Sequence, residues 1–340
     1  MVVSDAAPAR DLARRPRVSP PVMLGVRIIV SGVLLAFLIT KIPADSITPR
    51  NDHAGTLAFL AAGLLMCLVG FVLSAWRWQR VLAVFETRVS LRTLLSHYLA
   101  GQFVGNVLPS TIGGDVLRVS RVSKSTGTSD IAFASVVIER LSGFIVLPVL
   151  TFAGFAMMPS LLTVPHAWIA LAIEIASLVS FFVILLIAGH PRMAGRFAEH
   201  ANWMRFIGAV HVGIDRIRRD PKRALGVLAA AFLYQLSVVL VVWCAIHALG
   251  IDIPNAAVLA FVPAVASGQV MPFSLSGLGI REGLLVLFLH PLGVPTGRAI
   301  GVGLLWYGMM LVVSLLGAPA FAIGHRKSEP AREPEPAPAP

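Results

Sequence analysis

The chain carries uncharged apolar stretches as long as a bilayer is thick, at 55–75, 141–158, 224–249 and 299–323. About 20 residues of helix cross a hydrocarbon core about 30 Å thick, and backbone polar groups there must be satisfied within the protein. These stretches predict membrane-spanning helices. Composition agrees: 56% of the residues are hydrophobic and 13% charged, against about 25% charged in a soluble domain. A soluble globule, a disordered chain and a disulfide scaffold are all excluded. The two cysteines, Cys67 and Cys244, fall inside apolar runs, where a thiol packs as a small hydrophobe.

A formal net charge of +11 raises the question of a nucleic-acid partner, but no reading motif accompanies it and none is expected. The basic residues instead cluster between apolar runs, as the positive-inside rule produces in a polytopic membrane protein. Six spans are predicted, at 22–40, 55–75, 131–158, 167–189, 224–249 and 299–323. Two further apolar stretches, 93–123 and 255–290, are interrupted by Pro, Gly and Ser near their middles. If the N-terminus is cytoplasmic and each interrupted stretch leaves by the side it entered, only Lys41, Arg50 and Arg298 lie outside. Were 93–123 a full span, Arg118, Arg121 and Lys124 would cross to the outer face, so a re-entrant hairpin is preferred. The expected architecture is all-α, with six spans and two re-entrant hairpins in a membrane domain at 22–324. Both termini are placed in the cytoplasm of a bacterium whose inner membrane holds the chain.

The first span has a basic lead-in like a signal peptide. No small-x-small cleavage site follows Ile39 convincingly, so it is expected to be retained. In 190–222, Trp203, Phe206, Ile207, Val210, Ile214 and Ile217 recur at helical spacing with arginines between them. This predicts an amphipathic helix at the inner interface. Residues 1–21 and 325–340, rich in Pro, Ala and charge, are expected to be disordered.

The two interrupted stretches match one another. Residues 105–114 read GNVLPSTIGG and 268–277 read GQVMPFSLSG, in register without a gap. Each half then has two spans, a broken hairpin and one span. An odd number of spans per half turns the second upside down, giving an inverted repeat whose hairpins approach the midplane from opposite sides. Broken helices so related point to a secondary transporter's binding site. Non-helical backbone cannot face lipid, so the tips at Pro109 and Pro272 line a polar cavity or are buried in protein. Ser110 and Thr111 can cap a helix starting near Gly113 and Gly114, and Ser274 or Ser276 can do the same before Gly277. With the amides Asn106 and Gln269, these tips form a candidate site whose helix N-termini favour an anion such as a lipid phosphate.

Intramembrane charges add to the candidate site. Asp115, Arg118, Glu139, Arg140, Arg281 and Glu282 fall on or beside the broken elements, with Glu139 next to Arg140 and Arg281 next to Glu282. The arginines suit a phosphate head group, since a guanidinium fork matches its oxygens. The carboxylates would position the arginines, bind a cationic group or carry a coupling proton. The plainer alternative is that these charges pair across helices and only fix the fold. Glu174, inside the fourth span, is read as an interhelical hydrogen-bonding group before a proton shuttle. His97 and His247 are read as packing residues, and no constellation at metal spacing is found.

In these same residues the chain resembles the lysylphosphatidylglycerol synthase transmembrane-region family of flippase-like integral membrane proteins. The pieces are FVGNVLPSTIGGDVLR at 103–118, VVIERLSG at 136–143, and MPFSLSGLGIREG at 271–283, followed by LGVPTGRAIGVGLLW. The resemblance implies a polytopic inner-membrane protein that moves lipids between leaflets, aminoacylated phosphatidylglycerol among them, with relatives in hopanoid or glycolipid pathways. It also implies a central site involving Asp115, Arg118, Glu139, Arg140, Arg281 and Glu282. Only a short tail follows Gly324, so the soluble aminoacyl-transfer domain of full-length synthases is not expected, nor is enzyme activity.

The sequence therefore predicts a translocase for an anionic, aminoacylated or polyprenyl-phosphate-type lipid, with no cofactor. In the absence of a nucleotide-binding loop it would be driven by an ion gradient or by the lipid gradient. Its expected partners are membrane lipids with phosphate head groups, and envelope-lipid or glycosyltransferase enzymes. The rival readings are a non-transporting subunit that scaffolds such enzymes and a membrane transferase. For the transferase, Ser276 beside Gly277 is a nucleophile without a Ser-His or metal partner.

Overall fold

The computed structural model describes residues 53–107, 113–127, 129–190, 208, 210–216, 220–270 and 277–326. Among them the regular structure is helical throughout. In chain order the helices are α1 His53–Val84, α2 Leu91–Val107, α3 Gly113–Thr126, α4 Ser129–Met157, α5 Ala167–Gly189, α6 Pro221–Ala248, α7 Asn255–Gly268, α8 Ile280–Leu289, α9 Thr296–Ser314 and α10 Gly317–Arg326. Five of them, α1, α4, α5, α6 and α9, are long and apolar enough to cross a membrane. They answer to five of the six expected spans. The sixth, 22–40, lies outside the described residues, as do 1–21, the hairpin tips at 108–112 and 271–276, and the tail from 327 on.

Two boundaries differ from expectation. α1 does not stop at residue 75 but runs 32 residues, about 48 Å at 1.5 Å per residue. That extension carries Arg77 into the protein, where it is 5% exposed. Charge ended the predicted span, whereas the helix continues because the charge is paired inside. The stretch expected as one span at 299–323 is divided between α9 and α10. Pro319 cannot donate a helical hydrogen bond, and a side chain at Gly317 would collide with the Leu99 carbonyl, so α10 packs backbone to backbone against α2. Arg121 Nη1 and Nη2 fix the crossing by donating to the Ala320 and Phe321 carbonyls at 3.0 and 3.1 Å.

Each interrupted stretch folds into two helices that reverse on themselves. In a continuous helix Gly101 and Gly114 would stand about 20 Å apart. Here a methyl at Gly114 would strike the Gly101 carbonyl oxygen, so α2 and α3 lie side by side. In the second stretch, Gly277 has φ +77° and a Cβ there would be 2.9 Å from Gln269 Cβ. The 14 residues of α7 and the 10 of α8 make about 21 and 15 Å of helix, too short to cross alone. α7 nonetheless occupies the centre, nearly all of its side chains buried.

The helix contacts come in matched sets. α1 packs on α2 and α6 on α7, α2 on α3 and α7 on α8, α3 on α4 and α8 on α9, α4 on α5 and α9 on α10. The same shift of five helices exchanges the remaining pairs. α1 with α4 becomes α6 with α9, α4 with α6 becomes α9 with α1, α4 with α7 becomes α9 with α2, and α5 with α7 becomes α10 with α2. The most extensive interface, α1 with α6, maps onto itself. Small residues let its backbones approach: a Cβ at Gly70 would be 2.9 Å from Ser237 Oγ, and one at Gly63 3.3 Å from Cys244 Cβ. The ends of the pair are tied by Arg223 Nη1, which donates to the Ala83 carbonyl at 2.7 Å, while Asp220 caps α6 through the Arg223 amide at 3.2 Å.

Of the predicted amphipathic segment 190–222, residues 210–216 are described and helical. Val210 and Ile214 pack with Ile138, Phe181 and Val227, docking this stretch onto the ends of α4, α5 and α6. His211 contacts the Ala188 carbonyl through Nδ1 at 2.6 Å.

Candidate functional site

Adjacent residues on a helix point about 100° apart and do not face one another, and α4 uses this to send two charges in two directions. Glu139, 1% exposed, turns inward. It forms ion pairs with Arg77 of α1 and, at 3.2 Å, with Arg118 Nη2 of α3, and accepts from Ser74 Oγ at 3.1 Å. Arg140, its side chain 51% exposed, turns outward and meets Asp115 Oδ2 at 2.6 Å. Asp115 in turn approaches Arg118 Nη1 at 3.5 Å, so the five charges form one chain from the interior to the surface.

Three guanidinium groups against two carboxylates leave this network one positive charge. The two buried arginines also carry aromatic contacts: the Arg118 guanidinium lies 4.4 Å from the Trp78 ring centroid and 4.9 Å from that of Tyr98, and Arg77 lies 4.5 Å from that of Tyr234. Several of their donors, Arg77 Nε and Nη1 and Arg118 Nε, have no hydrogen-bond partner.

The outward end of the network opens on a cavity of about 860 Å³ between α3, α4, α5 and the end of α7. Asp115 and Arg140 line it together with Phe133, Val137, Leu141 and Phe144, which share the Arg140 face of α4 at helical spacing. Phe181 and Ile184 of α5 form the opposite wall, and Ser177, Ser180 and Ser267 add hydroxyls. Val116, also in the lining, is 59% exposed, so the groove reaches the outer surface of the bundle. The arrangement suits an amphiphile: an anion at Arg140 and chains along the apolar wall.

The second charged pair stands apart. Arg281 Nη2 and Nε donate to Glu282 Oε1 at 2.6 and 3.0 Å, and Glu282 Oε2 accepts from the Gly279 amide at 2.6 Å. Both residues are buried, with the Arg281 guanidinium 5.2 Å from the Tyr307 ring centroid and 5.6 Å from that of Trp306. Continuing the register that matches Gly105 with Gly268 places Arg118 opposite Arg281. Among the described residues no ion pair or hydrogen bond joins the two groups. The link between them is indirect: Tyr307, the ring beside Arg281, donates its hydroxyl to the Asn106 carbonyl at 3.3 Å, at the end of α2.

The remaining candidates divide. Asn106 Nδ2 is buried without a partner. Gln269 closes α7 and packs against Gly277, and Gly113 opens α3. Pro109, Ser110, Thr111, Pro272, Ser274 and Ser276 lie outside the described residues. Glu174 makes the interhelical bond expected of it, to Ser267 Oγ at 3.0 Å. Sequence reasoning missed Arg77 with its neighbours Ser74 and Trp78. The signal was a helical i, i+3, i+4 set immediately after an apolar run, read as the end of a span.

A family model described as lysylphosphatidylglycerol synthase TM region matches residues 22–317. A UPF0104 membrane protein of Pyrococcus horikoshii is 26% identical over 162 residues, 47% of each chain. The chain thus spans about half the length of the curated relative it matches.

Proposed function

The chain belongs to the lysylphosphatidylglycerol synthase TM-region family, and from that premise we propose that it is a lipid translocase and not an enzyme. Its cargo is an anionic lipid, with aminoacylated phosphatidylglycerol and polyprenyl phosphates within the class, carried between leaflets of a bacterial inner membrane. The observation that carries the reading is Arg140: a half-exposed guanidinium at the polar end of an apolar groove, backed by a network that retains a positive charge. A phosphate can occupy a guanidinium fork there, and about 860 Å³ lies within the usual range for ligand sites, about 300–1,000 Å³.

The fold is read as an inverted repeat, α1 to α5 against α6 to α10, with 22–40 an additional span. What supports this is the exchange of every substantial helix contact under a shift of five helices. The first unit contains three spanning helices, α1, α4 and α5, and an odd number inverts the second. The reversals at Gly101 and Gly114, and at Gln269 and Gly277, are then re-entrant hairpins entering from opposite leaflets, with both termini cytoplasmic. Rocking of one unit against the other about the α1 and α6 seam would expose the groove alternately to the two leaflets.

The test is leaflet exchange in liposomes containing phosphatidylglycerol or phosphatidylcholine labelled on the head group. Wild type is expected to exchange the anionic lipid faster, with Arg140→Gln losing that preference and Arg140→Lys keeping part of it. Equal exchange of both lipids by all three proteins would overturn the reading.

A further inference from the structure

Glu174 is the one charged residue type within α5, and its side chain is fully buried. Oε1 accepts from Ser267 Oγ at 3.0 Å, and Thr151 Oγ1 stands 3.5 Å away; Oε2 has no hydrogen-bond partner. No described basic residue forms an ion pair with it. The elements packed on α5 explain why. α7, at Asn255–Gly268, and the 3-10 turn Pro159–Thr163 contain no charged residue. α4 contains Asp130, Glu139 and Arg140, all at the end remote from Thr151, with Arg140 about 16 Å away along the axis. The 210–216 segment, which carries His211, Asp215 and Arg216, meets α5 near Ala188, about 21 Å along the helix from Glu174. Among the described residues a carboxylate here has no cation to offset its desolvation.

The position is nevertheless connected. Ser177 and Ser180 follow Glu174 at i+3 and i+6, and both line the groove together with Ser267. Ser177 Oγ is itself buried without a partner. Hydroxyls at this spacing form a stripe from the groove to the acid. Ser267 is also the residue before the last of α7, next to the second reversal, so Glu174 is bonded to the end of that hairpin's first helix.

We propose that Glu174 is a proton-binding site coupled to lipid binding: it carries a proton when an anionic head group occupies the groove and releases it through the Ser177 and Ser180 stripe when the head group leaves. The balance is simple, since one proton moves between the Oε2 oxygen and water in the groove with no other bond made or broken. This rests on the groove being the lipid site, as proposed above. A neutral acid leaves the groove its net positive charge, whereas an ionised one cancels it. Proton and anionic lipid therefore favour one another, and the coupling is reciprocal. A coupling at the lower end of the usual range is about five-fold in affinity.

Binding of phosphatidylglycerol bearing a fluorescent acyl chain to the full chain in detergent, from mildly acidic to mildly alkaline pH, gives the test. Wild-type affinity is expected to fall about five-fold as pH rises. Glu174→Gln imitates the protonated acid, can accept the same hydroxyl bonds, and is expected to bind independently of pH. The same pH dependence in both proteins would overturn the proposal. Infrared spectroscopy of the phosphatidylglycerol-loaded protein at mildly acidic pH supplies a second readout: a protonated-carboxyl band in wild type that is missing from Glu174→Gln. A lipid-loaded wild-type spectrum without that band, showing Glu174 ionised, would also overturn it. Failure of the translocase reading looks different, as lipid binding then shows no dependence on Arg140 at any pH.

Discussion

Both halves bury an arginine in the same register beside aromatic rings, and they differ in where the opposing acid stands. Arg281 is met by the next residue of its own helix, and the second oxygen of Glu282 is used by the Gly279 amide. That unit is neutral and closed. Arg118 is met by Glu139 from another helix, which Arg77 shares from a third. This set is left with an excess charge, unfilled guanidinium donors and an exit to the groove through Asp115 and Arg140. A pair satisfied within one helix turn holds a local shape, whereas a network across three helices depends on their relative positions. The first can serve as a fixed element, and the second is suited to respond when helices move.

The sharpest way to break this contrast is Glu139→Gln, which leaves Arg77 and Arg118 buried without their shared counter-charge. Removing one partner of a buried pair costs about 3–5 kcal/mol, so thermal unfolding in detergent should show severe destabilisation. The corresponding double change at the other site, Arg281→Met with Glu282→Gln, removes the charge and keeps an acceptor for Gly279. Replacing a whole buried pair is often close to neutral. Retained folding and lipid exchange there, beside loss in Glu139→Gln, would sharpen the contrast. Equal losses would erase it.

The hairpins provide a smaller contrast. Gly114→Ala puts a methyl against the Gly101 carbonyl, backbone that cannot swing aside, and overpacking of this kind costs about 1–3 kcal/mol. Gly277→Ala meets Gln269 Cβ at 2.9 Å, a looser approach than the one at Gly114, but at φ +77°, where an L residue pays about 1–2 kcal/mol. Substitution at Gly114 should therefore lower the unfolding midpoint at least as much as substitution at Gly277. The reverse order would indicate that α2 and α3 separate readily.

Much of this was legible in the sequence because membrane spans follow from local hydropathy. The interruptions at 93–123 and 255–290 gave reversing helix pairs, and charges inside apolar stretches marked Arg118 and Arg281. Arg77 was not legible, since a charge ends a span unless its partner is known, and that partner lies on α4. Glu139 and Arg140 read as a pair because they are adjacent, yet the helical turn sends them to opposite surroundings. Arg281 and Glu282, equally adjacent, do pair, because Glu282 lies in the first turn of α8 and bends back to the Gly279 amide. The repeat was read with 22–40 matched to 167–189, and 22–40 lies outside the described residues. The contacts of the described helices relate α5 to α10, which 299–323 concealed by reading as one span.

Arg140→Gln should have the smallest effect on stability. Its partner Asp115 is partly exposed and its own side chain half so, and exposed ion pairs contribute about 1 kcal/mol or less. An unfolding midpoint close to wild type is expected, together with about a tenfold loss of preference for phosphatidylglycerol over phosphatidylcholine. Tenfold corresponds to about 1.4 kcal/mol, close to the lower end of what a hydrogen bond to a charged group contributes. That combination separates Arg140 from Glu139 and Arg118, whose substitution should damage the fold before any selectivity can be read. If Arg140→Gln instead unfolds as readily as Glu139→Gln, the outward arginine belongs to the same structural lock as the inward ones, and the two halves differ only in the number of residues that close it.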